Sequence, residues 1–494
     1  MLTSTSRWYA LAALALSTLA VALDTTVLSV ALPTLARDLD ATTGDLQWFT
    51  TAYLLVLAAA LLPAGLLGDR AGRKRMLIGA LLIFGAASVA CAYAQTSGQL
   101  IAARAVLGLG AAVIMPLSGA VLTVLFPAGE RSRAMSIWVT ASALGIPLGP
   151  LLGGWLLDNF WWGSVFLINV PVVIAGVAAL TLWLPESRGA RSRLDVPGMV
   201  LSTAGLIALT YGIIEAGDRG WTDTRSLVTV VAGIVLLTVF VLWQRRAAHP
   251  LVDLALFGNR AFTGGAVLAT VASFAMLGLL FSLPQLFSAV GGHDAFGSGL
   301  RLLPVIGGLI VGARAAEKLS RRLGSRLVIA GGLTLIAVAS LLGAQTTAST
   351  GYGYIAVWIT VTGVGLGLTL PPALNAALGA LTPESSGVGN ALLQAMRQVG
   401  GAIGVAVLGT VLNSAYRERV PAVAADSVTS GVAVARQLGD DGLLASVREA
   451  FAYGMERSLL VAGALAAVGV VLALALMPKR AAEPRPEVLA ESLV

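Results

Sequence analysis

Cysteine occurs once in the 494 residues, at Cys91, and histidine twice, at His249 and His293. An intrachain disulfide is therefore excluded, and a metal centre has almost no soft ligands to draw on. Charged residues are scarce as well, at 12% of the chain against 57% hydrophobic residues. A soluble domain carries about 25% charged residues, so a soluble protein is excluded. The net charge of +7 forms no stripe that would follow a phosphate backbone, and nucleic acid is not an expected partner. What the chain has instead is glycine, 57 residues of it, which suits helices packed closely in lipid.

Fourteen long apolar stretches are predicted as membrane spans, at 8–32, 46–67, 76–94, 98–125, 132–157, 164–184, 196–216, 225–244, 262–290, 298–316, 326–344, 353–378, 386–413 and 457–477. An even count puts both termini on one side. The positive-inside rule then selects the cytoplasm for them. On that topology 21 of the 32 Lys and Arg residues are cytoplasmic and nine face the other side, five of those in or beside one long loop. The basic excess is thus a topology signal. Insertion into the plasma membrane needs no cleaved leader, because the first span can direct it. The loop at 414–456 carries Val432, Leu438, Leu443, Leu444, Val447 and Phe451 at helical spacing and is predicted as an external helical hairpin.

Within these spans the charges carry the chemistry. Asp24 lies well inside the first span, where a carboxylate costs about 2.5–3.5 kcal/mol on insertion scales and marks an ion or substrate path. The competing reading is polar pairing with Thr25, Thr26 or Ser29. Arg104, in LIAARAVLGLGAA at 100–112, cannot lose its proton and so needs solvent or a partner. Residues 65–75 read GLLGDRAGRKR, where Gly65, Gly68 and Gly72 permit a tight turn. Asp69 there meets the negative end of a helix dipole and requires a partner, with Arg70 and Arg73 beside it. In GIPLGPLLGG at 145–154, Gly145, Gly149 and Gly153 fall on one helix face, flanked by Gly154, and Pro147 and Pro150 bend the helix. Helix packing alone would account for that glycine face.

Taken together these segments resemble the signature loop, the span 4 arginine and the span 5 antiporter motif of the major facilitator superfamily. LDTTVLSVALP at 23–33, FLINVP at 166–171, LPES at 184–187 and PLVDLALFGNRAF at 250–262 resemble its fourteen-helix drug:proton antiporters, over nearly the whole chain. The resemblance implies an all-α polytopic membrane protein with the major facilitator fold: two six-helix bundles, 1–184 and 262–477, an inserted helix pair within 185–261, and a cytoplasmic tail at 478–494. It implies a conformational latch at 65–75 and proton coupling through Asp24 and Arg104. It further implies efflux of an amphipathic small molecule in exchange for protons by a monomer, without a cofactor.

Proton and cation would compete for Asp24, since burial favours the protonated carboxyl and a nearby cation the ionised one. Trp48, Tyr53, Phe166 and Met396 are candidate cavity liners, with Glu215 at the outer end of span 7 as a second acid. Related quaternary-ammonium exporters carry extra carboxylates in spans 10 and 13, whereas the corresponding stretches here offer Gly308, Gln394, Arg397 and Gln398. A dication specialist is not expected. The second-half counterpart of the latch, EKLSRRLGSR at 317–326, has Arg321 where Asp69 aligns. Two rivals remain: a proton-coupled uptake or export system for one metabolite, and a membrane-embedded enzyme, for which no His/Asp pair or carboxylate cluster is present.

Overall fold

A computed structural model describes residues 4–188, 195–248, 250–381 and 386–478. The helices are α1 (Ser4–Asp38), α2 (Thr43–Ala71), α3 (Arg73–Ala92), α4 (Ser97–Leu125), α5 (Ala128–Asn159), α6 (Ser164–Leu167), α7 (Asn169–Trp183), α8 (Val196–Arg219) and α9 (Thr224–Gln244). They continue with α10 (Arg260–Gln285), α11 (Ala295–Arg301), α12 (Leu303–Leu323), α13 (Ser325–Gly343), α14 (Tyr352–Gly379), α15 (Ser386–Arg417), α16 (Val428–Leu438) and α17 (Asp441–Leu476). Among the described residues, thirteen helical stretches are long and apolar enough to cross a membrane. α5, with 32 residues, adds a fourteenth long helix.

The few acids explain where helices begin. Asp195, Asp223, Asp294 and Asp440 each accept backbone N–H bonds at a helix N-terminus, and Thr42 with Asp45 forms a capping box on α2. Such caps satisfy donors that lipid cannot. The same economy ends helices: α2 passes to α3 through Gly72 alone (φ 109°), and α12 passes to α13 through Gly324 alone (φ 83°). Both positions need the left-handed region that glycine enters freely. The repetition of this turn in the two halves of the chain marks an internal repeat.

Helices α1 to α7 pack among themselves, and so do α10 to α15 with α17. The pair α8–α9 packs on itself and joins both groups through α8, which touches α2 and α15. α9 leaves Val231, Ile234, Val235 and Leu242 exposed, as a lipid-facing helix does. Small residues form the tightest seams. A Cβ on Gly145 would lie 2.5 Å from Ala22 Cβ, one on Gly153 2.5 Å from Val27 Cγ2, and one on Gly149 would collide with Thr26 Oγ1. The span 5 glycines therefore hold α5 against α1, and Thr26 Oγ1 donates to Gly145 O at 3.0 Å across that seam.

The predicted hairpin at 414–456 is helical, but its second arm is not separate from the last span. α17 is one 36-residue helix beginning at Asp441, with α16 packed against it. Charges at Arg448, Glu449, Glu456 and Arg457 interrupt the apolar run, so hydropathy alone does not join these turns to the last span.

The two groups meet at the end away from the chain termini. Thr43 N–H donates to Asp426 O at 3.0 Å, and Gln47 Nε2 donates to Ala406 O at 3.1 Å. Asp158 of α5 accepts from the N–H groups of Ala295 (3.2 Å) and Phe296 (2.9 Å) at the start of α11. Gly154 and Gly299 let α5 and α11 touch backbone to backbone beside it. The end opposite the termini is thus closed.

Candidate functional site

Asp24 comes from the middle of α1 and Arg104 from α4, and each is only 1% exposed. Arg104 Nη1 donates to Asp24 Oδ2, and Arg104 Nε donates to Phe49 O at 2.9 Å. The guanidinium lies 4.5 Å from the Tyr53 ring centroid and 6.0 Å from that of Phe166. Asn169 Nδ2 reaches Asp24 Oδ1 at 3.4 Å and Ser88 Oγ at 3.2 Å. One carboxylate and one guanidinium therefore cancel in a dry pocket walled by two rings. A proton on Asp24 would remove the counter-charge and leave Arg104 with a carbonyl and two ring faces. A buried pair of this kind is costly to break from either side.

The structure brings Asp24, Arg104, Tyr53 and Phe166 together. Tyr53 and Phe166 are fully buried against Arg104 and wall the ion pair instead of lining an open cavity. Sequence reasoning missed Asn169 and Ser88. The signal for the first was an amide within the apolar run of FLINVP.

Other residues singled out lie elsewhere. Glu215 pairs with Arg219 on its own helix. Trp48 faces Tyr211 of α8, with ring centroids 6.3 Å apart. Met396 and Gln398 are half-buried on α15. Arg397 donates to Gln394 Oε1 at 2.8 Å and to Ser273 Oγ at 3.4 Å. None of these reaches Asp24. Of the two histidines, His249 is outside the described residues. His293 sits in the loop before α11, where burial and Arg301 hold its imidazole below the usual range against the opposing pull of Asp294.

At the terminal end, the segment 65–75 is anchored by LPES. Lys74 N–H donates to Glu186 Oε1 at 3.0 Å, and Arg75 Nε lies 3.7 Å from Glu186 Oε2. Arg73 N–H donates to Ser187 O at 2.9 Å, so an anion caps the N-terminus of α3. A side chain at Gly72 would strike the Glu186 carboxylate, and one at Gly68 would strike Leu117. Gly65 faces open space and Arg70 is exposed. The side chains of Asp69 and Pro147 lie outside the described residues, as do residues 382–385. In the second half, Arg321 pairs with Glu317 at 2.6 Å on the same exposed face.

At the closed end, Asp158 lines a cavity of about 510 Å³ together with Thr34, Arg37, His293, Asp294 and Arg436. Its hydrogen bonds to the first turn of α11 join the two groups of helices, and a carboxylate so placed is worth about 0.3–1 kcal/mol. Asp158→Asn keeps the shape but loses the charge. We expect about two- to fivefold more maleimide labelling of a Thr34→Cys reporter, as the closed end opens more often. The buried Cys91 gives little background. Equal labelling with and without the Asn change would remove Asp158 from the closure.

Sequence and structure comparisons agree with this architecture. The profile of the Major Facilitator Superfamily matches residues 14–405. The tetracenomycin C resistance and export protein of Streptomyces glaucescens is 34% identical over 417 residues, covering 84% of this chain and 77% of that protein. The multidrug efflux pump LfrA of Mycolicibacterium smegmatis is 31% identical, with 95% and 97% covered. The methyl viologen resistance protein SmvA of Salmonella typhimurium is 32% identical, with 96% and 99% covered. Among solved structures, an inward-facing bacterial homologue of the human lysosomal transporter Spinster superposes with a TM-score of 0.67 at 18% identity, covering 98% of this chain and 100% of that one. A D-xylose–proton symporter gives 0.64 at 14% identity, covering 96% and 98%. The chain is a membrane protein and belongs to the major facilitator superfamily.

Proposed function

We propose that this protein exports amphipathic small molecules across the plasma membrane in exchange for protons, working as a monomer with both termini in the cytoplasm. The observation that carries the reading is the Asp24–Arg104 pair, a carboxylate and a guanidinium buried together inside the first helix group. The relatives named as resistance and export proteins support the direction of transport. The basic excess on the terminal side supports the orientation, in which the closed end faces outward.

On this reading residues 1–184 and 262–477 rock against one another, with 185–261 as the inserted pair and 478–494 as the tail. Asp24 takes up a proton from outside, and Arg104, released from its partner, shifts the balance between the two conformations. The 65–75 segment, held by Glu186, acts as the cytoplasmic latch, with Asp69 docking on the start of α15. The glycine seam of 145–154 keeps α5 on α1 while α5 closes on α11. Gln394, Arg397, Gln398 and Met396 face the substrate, while Trp48 and Glu215 border the inserted pair.

The test uses everted membrane vesicles acidified inside by respiration. A susceptibility panel in cells with and without the gene first identifies tolerated compounds. Adding such a compound should then dissipate the pH gradient in vesicles that carry the protein, and not in those that lack it. Loss of preloaded compound from the vesicles together with the protons would establish symport, the uptake direction in cells, instead.

A further inference from the structure

Arg397 is a charge deep within a membrane-spanning helix that none of the ion pairs above absorbs. It lies 11 residues into α15, hence roughly 17 Å along the helix from its first residue. It is half-buried within the second helix group, and its described partners, Gln394 and Ser273, are both neutral. Among the described residues, the helices packed on α15 bring no acid to that depth: α2 carries its acids, Asp45 and Asp69, only in its first and last turns. α10 and α14 contain neither Asp nor Glu. Glu215 of α8 and Glu449 and Glu456 of α17 sit toward the closed end, where Gly217 meets Thr410 and Gly454 meets Leu412. That is roughly 20 Å farther along α15. Asp24 is committed to Arg104.

A guanidinium in the membrane interior stays charged and is costly without a counter-ion. One turn along α10 from Ser273, half-buried Met276 borders a narrow apolar gap of about 20 Å³ between the two helix groups, lined also by Thr26, Pro150, Leu280, Val305 and Leu309. Half-buried Met276 and Met396 leave apolar surface near the arginine for the body of a ligand whose head it binds.

We infer that Arg397 is the headgroup site for the exported compound, and that the compound class is amphiphiles bearing a single carboxylate or comparably acidic group. Arg397 offers such a group a charge-assisted, two-pronged hydrogen bond. The same charge repels cationic amphiphiles, so the site selects by rejection as well as by attraction. Substrate and proton then occupy different helix groups, and their exchange is coupled through the conformational balance with no contest for one carboxylate.

This inference rests on the export reading, and its test separates the two. One aromatic body carrying three heads serves as probe: 1-pyrenebutyrate, 1-pyrenebutanol and 4-(1-pyrenyl)butyl-trimethylammonium. Binding to purified full-length protein in nanodiscs is read by pyrene fluorescence against empty nanodiscs. The parent should bind the carboxylate about tenfold more tightly than the alcohol, and the ammonium compound least of all. Arg397→Gln should reduce the carboxylate to the level of the alcohol and leave the alcohol unchanged. Arg397→Lys should keep part of the preference. Unchanged alcohol binding also shows that the variant is folded. Ammonium binding equal to or tighter than carboxylate binding, a preference that survives Arg397→Gln, or no carboxylate binding above empty nanodiscs would each overturn the inference. Failure of proton exchange in the everted vesicles would instead overturn the export reading, whatever the order of headgroups.

Discussion

Asp24→Asn is expected to reduce proton-driven efflux to the level of vesicles without the protein, while the variant remains folded and still exchanges substrate across the membrane. The amide keeps the planar shape of the carboxyl group and one oxygen for Arg104, so the pocket walled by Tyr53 and Phe166 need not rearrange. It cannot take up or release a proton. The variant therefore imitates the protonated state, which the parent visits in every cycle, and it should hold the conformational preference of that state at all pH values. In reconstituted vesicles the parent's efflux should rise with an inward proton gradient. The variant's downhill counterflow should be flat across the same pH range. A variant that responds to the gradient as the parent does would show that the proton is carried elsewhere.

Arg104→Leu should be the more damaging change to the folded protein. It leaves Asp24 in a site with essentially no solvent, held only by a long bond from Asn169. Removing one partner of a buried pair costs about 3–5 kcal/mol, because the other charge remains without compensation. Yield and melting temperature in detergent should fall sharply. The double change Asp24→Asn with Arg104→Leu removes both charges and should recover most of the stability but none of the proton coupling. If the single and double variants melt together, the loss is one of packing around the arginine stem, and the charge pair does not hold the pocket.

The sequence made the Asp24–Arg104 pair legible because intramembrane charge is expensive, and two opposite charges inside an early bundle have few other partners. Asn169 and Ser88 escaped notice for the opposite reason. Neutral polar groups in an apolar run cost little, so nothing in the pattern sets them apart from residues that bond their own helix. The spans followed from hydropathy alone. The first turns of α17 read as helix from the spacing of Leu443, Val447 and Phe451, but their continuity with the last span does not show in hydropathy, since a helix that leaves the bilayer carries charges on all sides. Contacts made at helix ends, such as Asp158 on α11 and Glu186 on α3, depend on which ends the fold brings together. No local spacing encodes that.

The carboxylate of Asp195 has a consequence for how freely the inserted pair can be exchanged. Burial disfavours its charge. The N–H groups of Gly198 and Leu251, Trp243 Nε1 and Gln244 Nε2 outweigh that effect and hold the carboxyl below the usual range. Gln244 Oε1 in turn accepts from Val252 N–H at 3.1 Å. The start of α8, the end of α9 and the chain entering α10 are thus clasped at one point. On its outer half α8 is bonded to α15, through Thr410 to Ile213 O and Asn413 to Gly217 O. Excising 185–261 to imitate a twelve-helix relative would therefore strip two polar side chains of α15 of their partners and turn them toward lipid. Transplanting the hairpin as a cassette would succeed only if Asp195, Gln244 and the 251–252 backbone travelled with it. The pair is bonded to the second helix group at these points while α8 also touches α2, and chimeras cut anywhere between those positions should misassemble.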